Sequence, residues 1–207
     1  MGDELRDRLA ARLTGEFAGR PSTHVHVPPG WEQLVADLAD RLDTVWPGWR
    51  LLQIKQKLGF LEVYLDDPPA DVADTVHEAV RDATYEAARV CERCASRDDV
   101  THGRIGGYYA CLCAGCRHAG HRQLLTDAGL TDGDLARAGA DGDPARIEVL
   151  AWAAGELADT LDPPGSAQWL RAPNQMLDGA VPLDVVAAGD VGRVRTAVNA
   201  YLDGIHL

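Results

Sequence analysis

The feature that most constrains this chain is a pair of CxxC motifs, at residues 91–94 and 113–116. Eighteen residues separate them, and glycines and tyrosines at 103–109 predict a turn and a short strand between the two motifs. Each CxxC turn presents two sulfurs on one side, as tetrahedral zinc with bonds of about 2.3 Å requires. We therefore predict one structural zinc ion per chain, held by Cys91, Cys94, Cys113 and Cys116. Four thiolates leave no open position for catalysis.

Three further residues near these motifs are alternatives as ligands. Cys111 would form a looser CxxxxC loop with Cys116, so we predict that it is not a ligand. His118 and His121 would fit only a distorted site, and we predict that they are exposed helix residues. A redox-active CxxC is the other alternative, but no βαβ pattern surrounds the motifs.

Charge is spread unevenly over the 207 residues, whose formal net charge is -12. Residues 1–80 carry -6, residues 81–122 carry +2 and residues 123–207 carry -8. Because phosphate neutralisation supplies most non-specific affinity for nucleic acid, such a chain is a poor general binder of it. The polar N-terminus lacks a secretory signal and no apolar run approaches the roughly 20 residues of a membrane span, so we predict a cytoplasmic protein.

Hydrophobic spacing predicts a mixture of helices and one hairpin. Period-two alternation predicts strands at about 50–57 and 60–65. Far along the chain, Pro163-Pro164-Gly165 is predicted to end the helix that begins at Pro144. The predicted helices cover part of 1–20, 31–46, 70–90, 116–128, a segment beginning at Pro144, 166–171, 182–187 and 190–203.

The predicted fold class is therefore α+β. A helix–β-hairpin–helix unit with a four-cysteine zinc knuckle or ribbon is followed by a small all-α domain. We expect three parts: an N-terminal helical extension at 1–27, a zinc-binding domain at 28–122 and a helical domain at 130–207.

A set of motifs extends from residue 28 to residue 118. It comprises Gly30-Trp31, the hairpin sequence at 53–59 and 61–64, Cys91-x-x-Cys94 and Leu112-Cys113. This set resembles a small bacterial family of unassigned function with the pattern GW…QIKEKFGGLRFY…CEVCG…LC. Members often have histidine where this chain has Cys116. The resemblance implies the helix–hairpin–helix–zinc unit and brings no activity with it.

A different set of motifs lies within residues 143–207. It comprises WLRAPN at 169–174, LDG at 177–179, PLD at 182–184, Gly189-Asp190, Arg193-Val194 and Tyr201-x-x-Gly204. This set resembles the C-terminal toxin-binding domain of Xre/ParS-type antitoxins, whose pattern reads WLRTPNPALGGRTPLDLL. Ala172 and Gln175-Met176 depart mildly from that pattern. The family usually has a helix-turn-helix-like region upstream, where this chain has the cysteine motifs.

The resemblance implies that the partner is a cognate toxin, expected to be of the RES type that consumes NAD. Core packing accounts for most of the motif, while Asn174 and Asp184 also suit helix caps. The apolar C-terminal tail is either a partner anchor or folds back onto the domain. The candidate partner-binding residues are Arg171, Asn174, Arg195, Tyr201, Ile205 and Leu207.

No catalytic motif stands out, so we predict that the protein is not an enzyme. The leading hypothesis is an antitoxin-like interaction protein, and a homo-oligomer is compatible with it. The alternative is a zinc-containing nucleic-acid-binding regulator. Arg93, Arg97, Arg104 and the pair Tyr108-Tyr109 favour that alternative, but the flanking negative charge predicts weak binding.

Overall fold

The computed structural model describes residues 2–18 and 20–204 and divides the chain into two compact units. The N-terminal unit runs to Arg104 and includes Tyr108–Cys116, and the C-terminal unit comprises Ile105–Gly107 and the chain from Arg117. The predicted three-part division stays a prediction about independently folding domains. Among the described residues, no helix is long and apolar enough to cross a membrane.

The N-terminal unit contains both helices and strands. They are α1 (Asp3–Arg12), α2 (Pro21–His24), β1 (Val25–His26), α3 (Glu32–Val45), β2 (Leu51–Lys57), β3 (Phe60–Leu65), α4 (Ala73–Ala87), β4 (Thr101–Ile105) and β5 (Tyr108–Leu112). β1 pairs parallel with β2, and β2 pairs antiparallel with β3, so the three-stranded sheet has the order β1-β2-β3. β4 and β5 form a separate two-stranded sheet. The predicted β2–β3 hairpin is confirmed to within one residue.

A two-residue turn joins β2 to β3. Leu58 and Gly59 both have positive φ, at 52° and 81°, as a type I′ turn requires. A Cβ added to Gly59 would lie 2.6 Å from the His102 ring, so no larger residue fits there without displacing His102. The turn fixes the register, which places Ile54 and Leu61 in the core and directs their neighbours in the chain to the opposite face.

The core of the N-terminal unit forms from the apolar stripes of its helices and the inner face of its sheet. On α3, Val35, Leu38, Ala39 and Leu42 recur at helical spacing and are all buried. Leu9 brings α1 into the same core. Arg8 and Arg12 of α1 also pair with Asp43 of α3, so α1 packs as part of this unit.

The C-terminal unit is helical. Its helices are α5 (Ala114–Asp127), which begins in the N-terminal unit, then α6 (Asp132–Arg137), α7 (Pro144–Ala158), α8 (Pro163–Arg171), α9 (Pro182–Ala187) and α10 (Val191–Leu202). α7 is buried on most of its circumference, including Ile147, Leu150 and Leu157, so it forms the centre of this core. The predicted α+β class with a helical C-terminal part is confirmed.

Two local predictions were wrong in this unit. Pro163-Pro164-Gly165 does not end a helix but forms the first turn of α8, where Asp162 caps the Gly165 N–H at 2.9 Å. Proline suits this position because first-turn N–H groups have no partner within the helix. No helix was predicted between residues 128 and 144, but a capping box between Thr131 and Asp134 begins α6 there.

Candidate functional site

The four cysteines of the two CxxC motifs lie together in the N-terminal unit. All four sulfurs are within 4.8 Å of one another, and Cys94 Sγ is 3.6 Å from Cys113 Sγ. Cys91 and Cys94 follow the C-terminal end of α4, Cys113 follows β5, and Cys116 lies in the first turn of α5. Four thiols at this spacing can hold a metal ion. Among the described residues, no other group of three or more histidine, cysteine or acidic side chains is placed to do so.

The main chain around Cys91 forms a closed turn. The Ala95 N–H donates to the Cys91 carbonyl at 3.0 Å, and the Cys91 N–H donates to the Ser96 carbonyl at 2.8 Å. Ala95 adopts a left-handed conformation with φ of 62°, which reverses the chain after Cys94. The turn therefore holds Cys91 and Cys94 on one side.

Gly30 and Trp31 anchor this turn. The Gly30 N–H donates to the Glu92 carbonyl at 2.8 Å, and the buried Trp31 indole N–H donates to the Val90 carbonyl at 2.9 Å. A Cβ on Gly30 would lie 2.0 Å from the Cys91 carbonyl oxygen. The Gly-Trp motif is thus a structural support for the first CxxC turn, a role that its sequence alone did not reveal.

Glu92 connects the same turn to both hairpins. Its buried carboxylate accepts hydrogen bonds from the Gln56 amide on β2 and the Cys111 N–H on β5, both at 3.2 Å. Gln56 also donates to the Tyr109 carbonyl at 2.7 Å. Burial raises the pKa of Glu92, which the donors from Gln56 and Cys111 oppose. This network positions the strand that leads into Cys113.

The cysteines differ in electrostatic environment. Burial raises the pKa of Cys91, but N–H groups of Cys113, Cys94 and Arg93 point at its sulfur, and the resulting pKa is about 7. Cys111 is fully buried, and burial raises its pKa to about 11. Its thiol donates to the Gly59 carbonyl at 3.2 Å and lies outside the four-sulfur cluster. Cys111 is therefore placed as a core residue.

Neither histidine after the second motif belongs to the cluster. The prediction that both are exposed was wrong for His121, which is buried, while His118 is half-buried. Burial lowers the pKa of His121, since the charged imidazolium loses solvation there. The spacing of apolar residues on α5 did not predict this burial, because His121 is polar and does not count toward an apolar stripe.

Two polar residues of the C-terminal motif are partnered by α6. Arg171 makes a bidentate contact with Asp134, at 3.0 and 2.6 Å, and also donates to the Gly129 carbonyl at 2.8 Å. Arg137 makes a bidentate contact with Asp184, at 2.7 and 2.8 Å. The side chains of Arg171 and Asp184 therefore fix α6 to α8 and α9. Whether Arg171 also contacts a partner stays a prediction.

The remaining candidates occupy different places. Asn174 organises the turn after α8, where its side chain accepts from the Met176 N–H at 2.8 Å. Arg195 lies over the Trp152 ring at 4.9 Å, and Tyr201 meets Trp169 edge-on at 6.1 Å. Ile205 and Leu207 lie outside the described residues.

The Arg171–Asp134 contact predicts a measurable effect on stability. We expect Asp134→Asn to lower the free energy of unfolding by about 1.5–3 kcal/mol, because it breaks a charge-assisted pair whose carboxylate is 13% exposed. Hydrogen bonds from Arg171 hold the pKa of Asp134 well below its usual range. This contribution is therefore complete above the unfolded-state pKa of about 3.9 and decreases as the pH falls below it.

Urea denaturation of the wild type and the variant at pH 7 and pH 3 tests this. The matched control is Asp184→Asn, which breaks a bidentate pair of half-exposed groups and should cost clearly less than Asp134→Asn. Equal costs for the two variants, or a cost for Asp134→Asn that does not fall with pH, would contradict the prediction.

Comparisons with known proteins bear on the C-terminal unit. Residues 157–205 match the family described as the antitoxin Xre/MbcA/ParS C-terminal toxin-binding domain, which confirms the resemblance of the motifs there. A probable mycobacterial cidal antitoxin of Mycobacterium tuberculosis is 41% identical over 51 residues, covering 25% of this chain and 44% of that relative. The chain thus spans less than half of the curated relative it matches. No solved structure matches the chain.

Proposed function

We propose that this chain is a non-enzymatic, antitoxin-like protein of a bacterial toxin–antitoxin pair. In this proposal it acts in the cytoplasm, where it binds and neutralises a partner toxin through its C-terminal unit. The match of residues 157–205 to an antitoxin toxin-binding domain carries the proposal. The similarity to a mycobacterial cidal antitoxin also supports it. A toxin of the RES type, which consumes NAD, is the proposed partner.

The C-terminal unit offers suitable side chains for such a partner. Arg195 is exposed on α10 with its guanidinium over Trp152, and Tyr201 is half-buried beside Trp169. Aromatic and arginine side chains at a partly exposed surface are the types enriched at energetically dominant interface positions. We favour Arg195 over Arg171, because Arg171 already has a carboxylate partner.

The four-cysteine cluster is proposed to hold one structural zinc ion. Its donor set fits zinc, because four thiolates can complete a tetrahedral shell. When bound, zinc would supply folding free energy to the N-terminal unit and no catalysis. The proposed role of this unit is to present a folded module where related antitoxins have a helix-turn-helix-like region.

Co-expression with the product of the neighbouring gene tests the antitoxin proposal. The neighbour should be toxic alone and deplete cellular NAD, and full-length protein should restore growth and co-purify with it. Removing residues 157–207 should abolish both effects. Arg195→Ala and Tyr201→Ala should each weaken co-purification, whereas Tyr85→Ala, an exposed tyrosine on α4, should not.

A truncated chain ending at Asp203 examines the terminal anchor separately. If the truncated chain no longer restores growth of cells that express the neighbour, Ile205 and Leu207 are supported as contacts with the toxin. If it restores growth fully, these two residues are not needed for binding. A neighbour that is not toxic, or the lack of any complex with full-length protein, would contradict the antitoxin proposal. Toxicity without NAD depletion would exclude only the RES-type partner.

A further inference from the structure

The outer face of the three-stranded sheet carries an unusual set of side chains. The register places His26, Lys55 and Glu62 opposite one another in one row across the three strands. Lys57 faces Phe60 in a second row, and Gln53 faces Tyr64 in a third. Because Ile54 and Leu61 point into the core, these rows lie on the opposite face.

Aromatic rings extend this face onto the β4–β5 hairpin. The Phe60 and His102 rings stack with centroids 4.6 Å apart and planes 20° apart, and His102 and Tyr109 stack at 5.5 Å and 9°. The His102 Nε2 atom is 2.7 Å from the Leu58 carbonyl oxygen, which fixes the central ring. Phe60, Tyr64 and Tyr109 are 48%, 45% and 42% exposed. Large rings clustered at this exposure mark a binding surface more often than isolated ones do.

Two lysines and one carboxylate, Glu62, lie on the same face. Lys55 and Lys57 are the only lysines in a chain of net charge -12. Lys57 pairs with Glu62 at 3.4 Å, but within the described part of the chain no carboxylate pairs with Lys55, whose ammonium lies 6.0 Å from the Tyr64 ring centroid. Glu62 also accepts a hydrogen bond from the Tyr64 hydroxyl at 2.9 Å. The face therefore combines flat rings with two lysines at their edges and one net positive charge. We call it the ring–lysine face, comprising Lys55, Lys57, Phe60, Tyr64, His102 and Tyr109.

We propose that the ring–lysine face binds single-stranded nucleic acid without sequence preference. Every unpaired base has a flat face that can stack on Phe60, Tyr64 or Tyr109, and such stacking is worth about 1–3 kcal/mol per base. Lys55 and Lys57 lie beside these rings, where they meet the phosphates between successive bases. A duplex keeps its bases stacked internally, so it gains only the contacts with the two lysines, whereas a single strand also gains the stacking on the rings. This activity does not depend on the proposed antitoxin function.

Fluorescence anisotropy with full-length, zinc-loaded protein tests the proposal. The probes are a labelled 12-nucleotide oligo-dT, a random-sequence RNA of equal length and the corresponding DNA duplex. At about 50 mM salt both single strands should bind with Kd values of micromolar order, and the duplex at least tenfold more weakly. Phe60→Leu and Tyr64→Leu keep apolar bulk but remove the ring, and each should weaken binding about tenfold. The matched control, Tyr85→Leu, removes an exposed ring from α4 and should change nothing.

The lysines have a separate signature in the salt dependence. Replacing Lys55 and Lys57 by glutamine should reduce the slope of log K against log salt by about 1.4, since each neutralised phosphate of a single strand contributes about 0.7. Arg81→Gln on α4 is the charge-matched control and should leave the slope unchanged. No binding of either single strand at low salt, or equal binding of the duplex, would overturn the proposal. A different result would be that Phe60→Leu and Tyr64→Leu bind single-stranded nucleic acid as the wild type does and lose a protein that co-purifies with the wild type. That result would overturn the proposal and assign the face to a protein partner.

Discussion

Cys94→Ser should reduce the bound zinc from one equivalent per chain to nearly none and unfold the cysteine-bearing part of the N-terminal unit. Cys94 is exposed, so its replacement removes a ligand with almost no loss of core packing. Structural zinc contributes about 10–16 kcal/mol in small domains, which is comparable to the whole stability of a typical domain. Elemental analysis and thermal unfolding monitored by tryptophan fluorescence measure the two effects.

Cys111→Ala is the matched control, because Cys111 is the one cysteine outside the cluster. Cys111 is fully buried, and its replacement removes packing contacts and the hydrogen bond to the Gly59 carbonyl. The free energy of unfolding should therefore fall by about 1 kcal/mol, while the zinc content stays at one equivalent. Metal-free wild-type protein would refute the zinc assignment. Full zinc retention by Cys94→Ser, or zinc loss in Cys111→Ala, would show that the ligand set is wrong.

Gly30→Ala should destabilise the N-terminal unit by more than about 3 kcal/mol and weaken zinc retention. The added methyl group would meet three main-chain atoms, the Cys91 oxygen at 2.0 Å, the Glu92 carbonyl carbon at 2.7 Å and the Ala95 nitrogen at 2.8 Å. No side-chain rotation relieves a contact with main chain, so the first CxxC turn itself must shift. Thermal unfolding and competition for zinc with a chelator are the measurements.

Gly115→Ala is the control for this substitution. Gly115 lies between Cys113 and Cys116, and a Cβ there meets nothing within 4 Å. Gly115 lies in the first turn of α5, where alanine is the better helix former, so stability and zinc retention should equal or slightly exceed those of the wild type. Equal behaviour of the two variants would mean that Gly30 has no structural role in the turn.

The importance of α6 bears on how C-terminal motifs are interpreted. Core packing did not require the charge of Arg171 or Asp184, so the sequence suggested a partner contact for Arg171 and a helix cap for Asp184. Their partners, Asp134 and Arg137, lie on a six-residue helix outside the motif. A polar residue in a family motif can therefore stabilise the domain itself, and only the tertiary contacts distinguish this role from recognition.

Local patterns predicted much of this molecule. The β2–β3 hairpin follows from its alternation, and the four-cysteine cluster from the spacing of two short motifs. The Asp143-Pro144 start of α7 was also visible, because a helix N-terminus depends on the few residues around it. The prediction of a helix start failed where a local signal had two interpretations, as at Pro163. Proline occurs both after the end of a helix and in the first turn of a helix, and its position alone does not distinguish the two.

The sequence by itself determined where two features lie: four thiols in two turns and a C-terminal motif that resembles an antitoxin domain. Only the tertiary structure decided what surrounds them. Gly30 approaches Cys91 from a distant part of the chain, His121 is buried despite its polarity, and Phe60 stacks on His102 from another hairpin. Such contacts depend on how separate elements meet, and residue spacing contains no information about partners distant in the chain. The backbone conformation of each segment is local, whereas burial and pairing are properties of the whole unit.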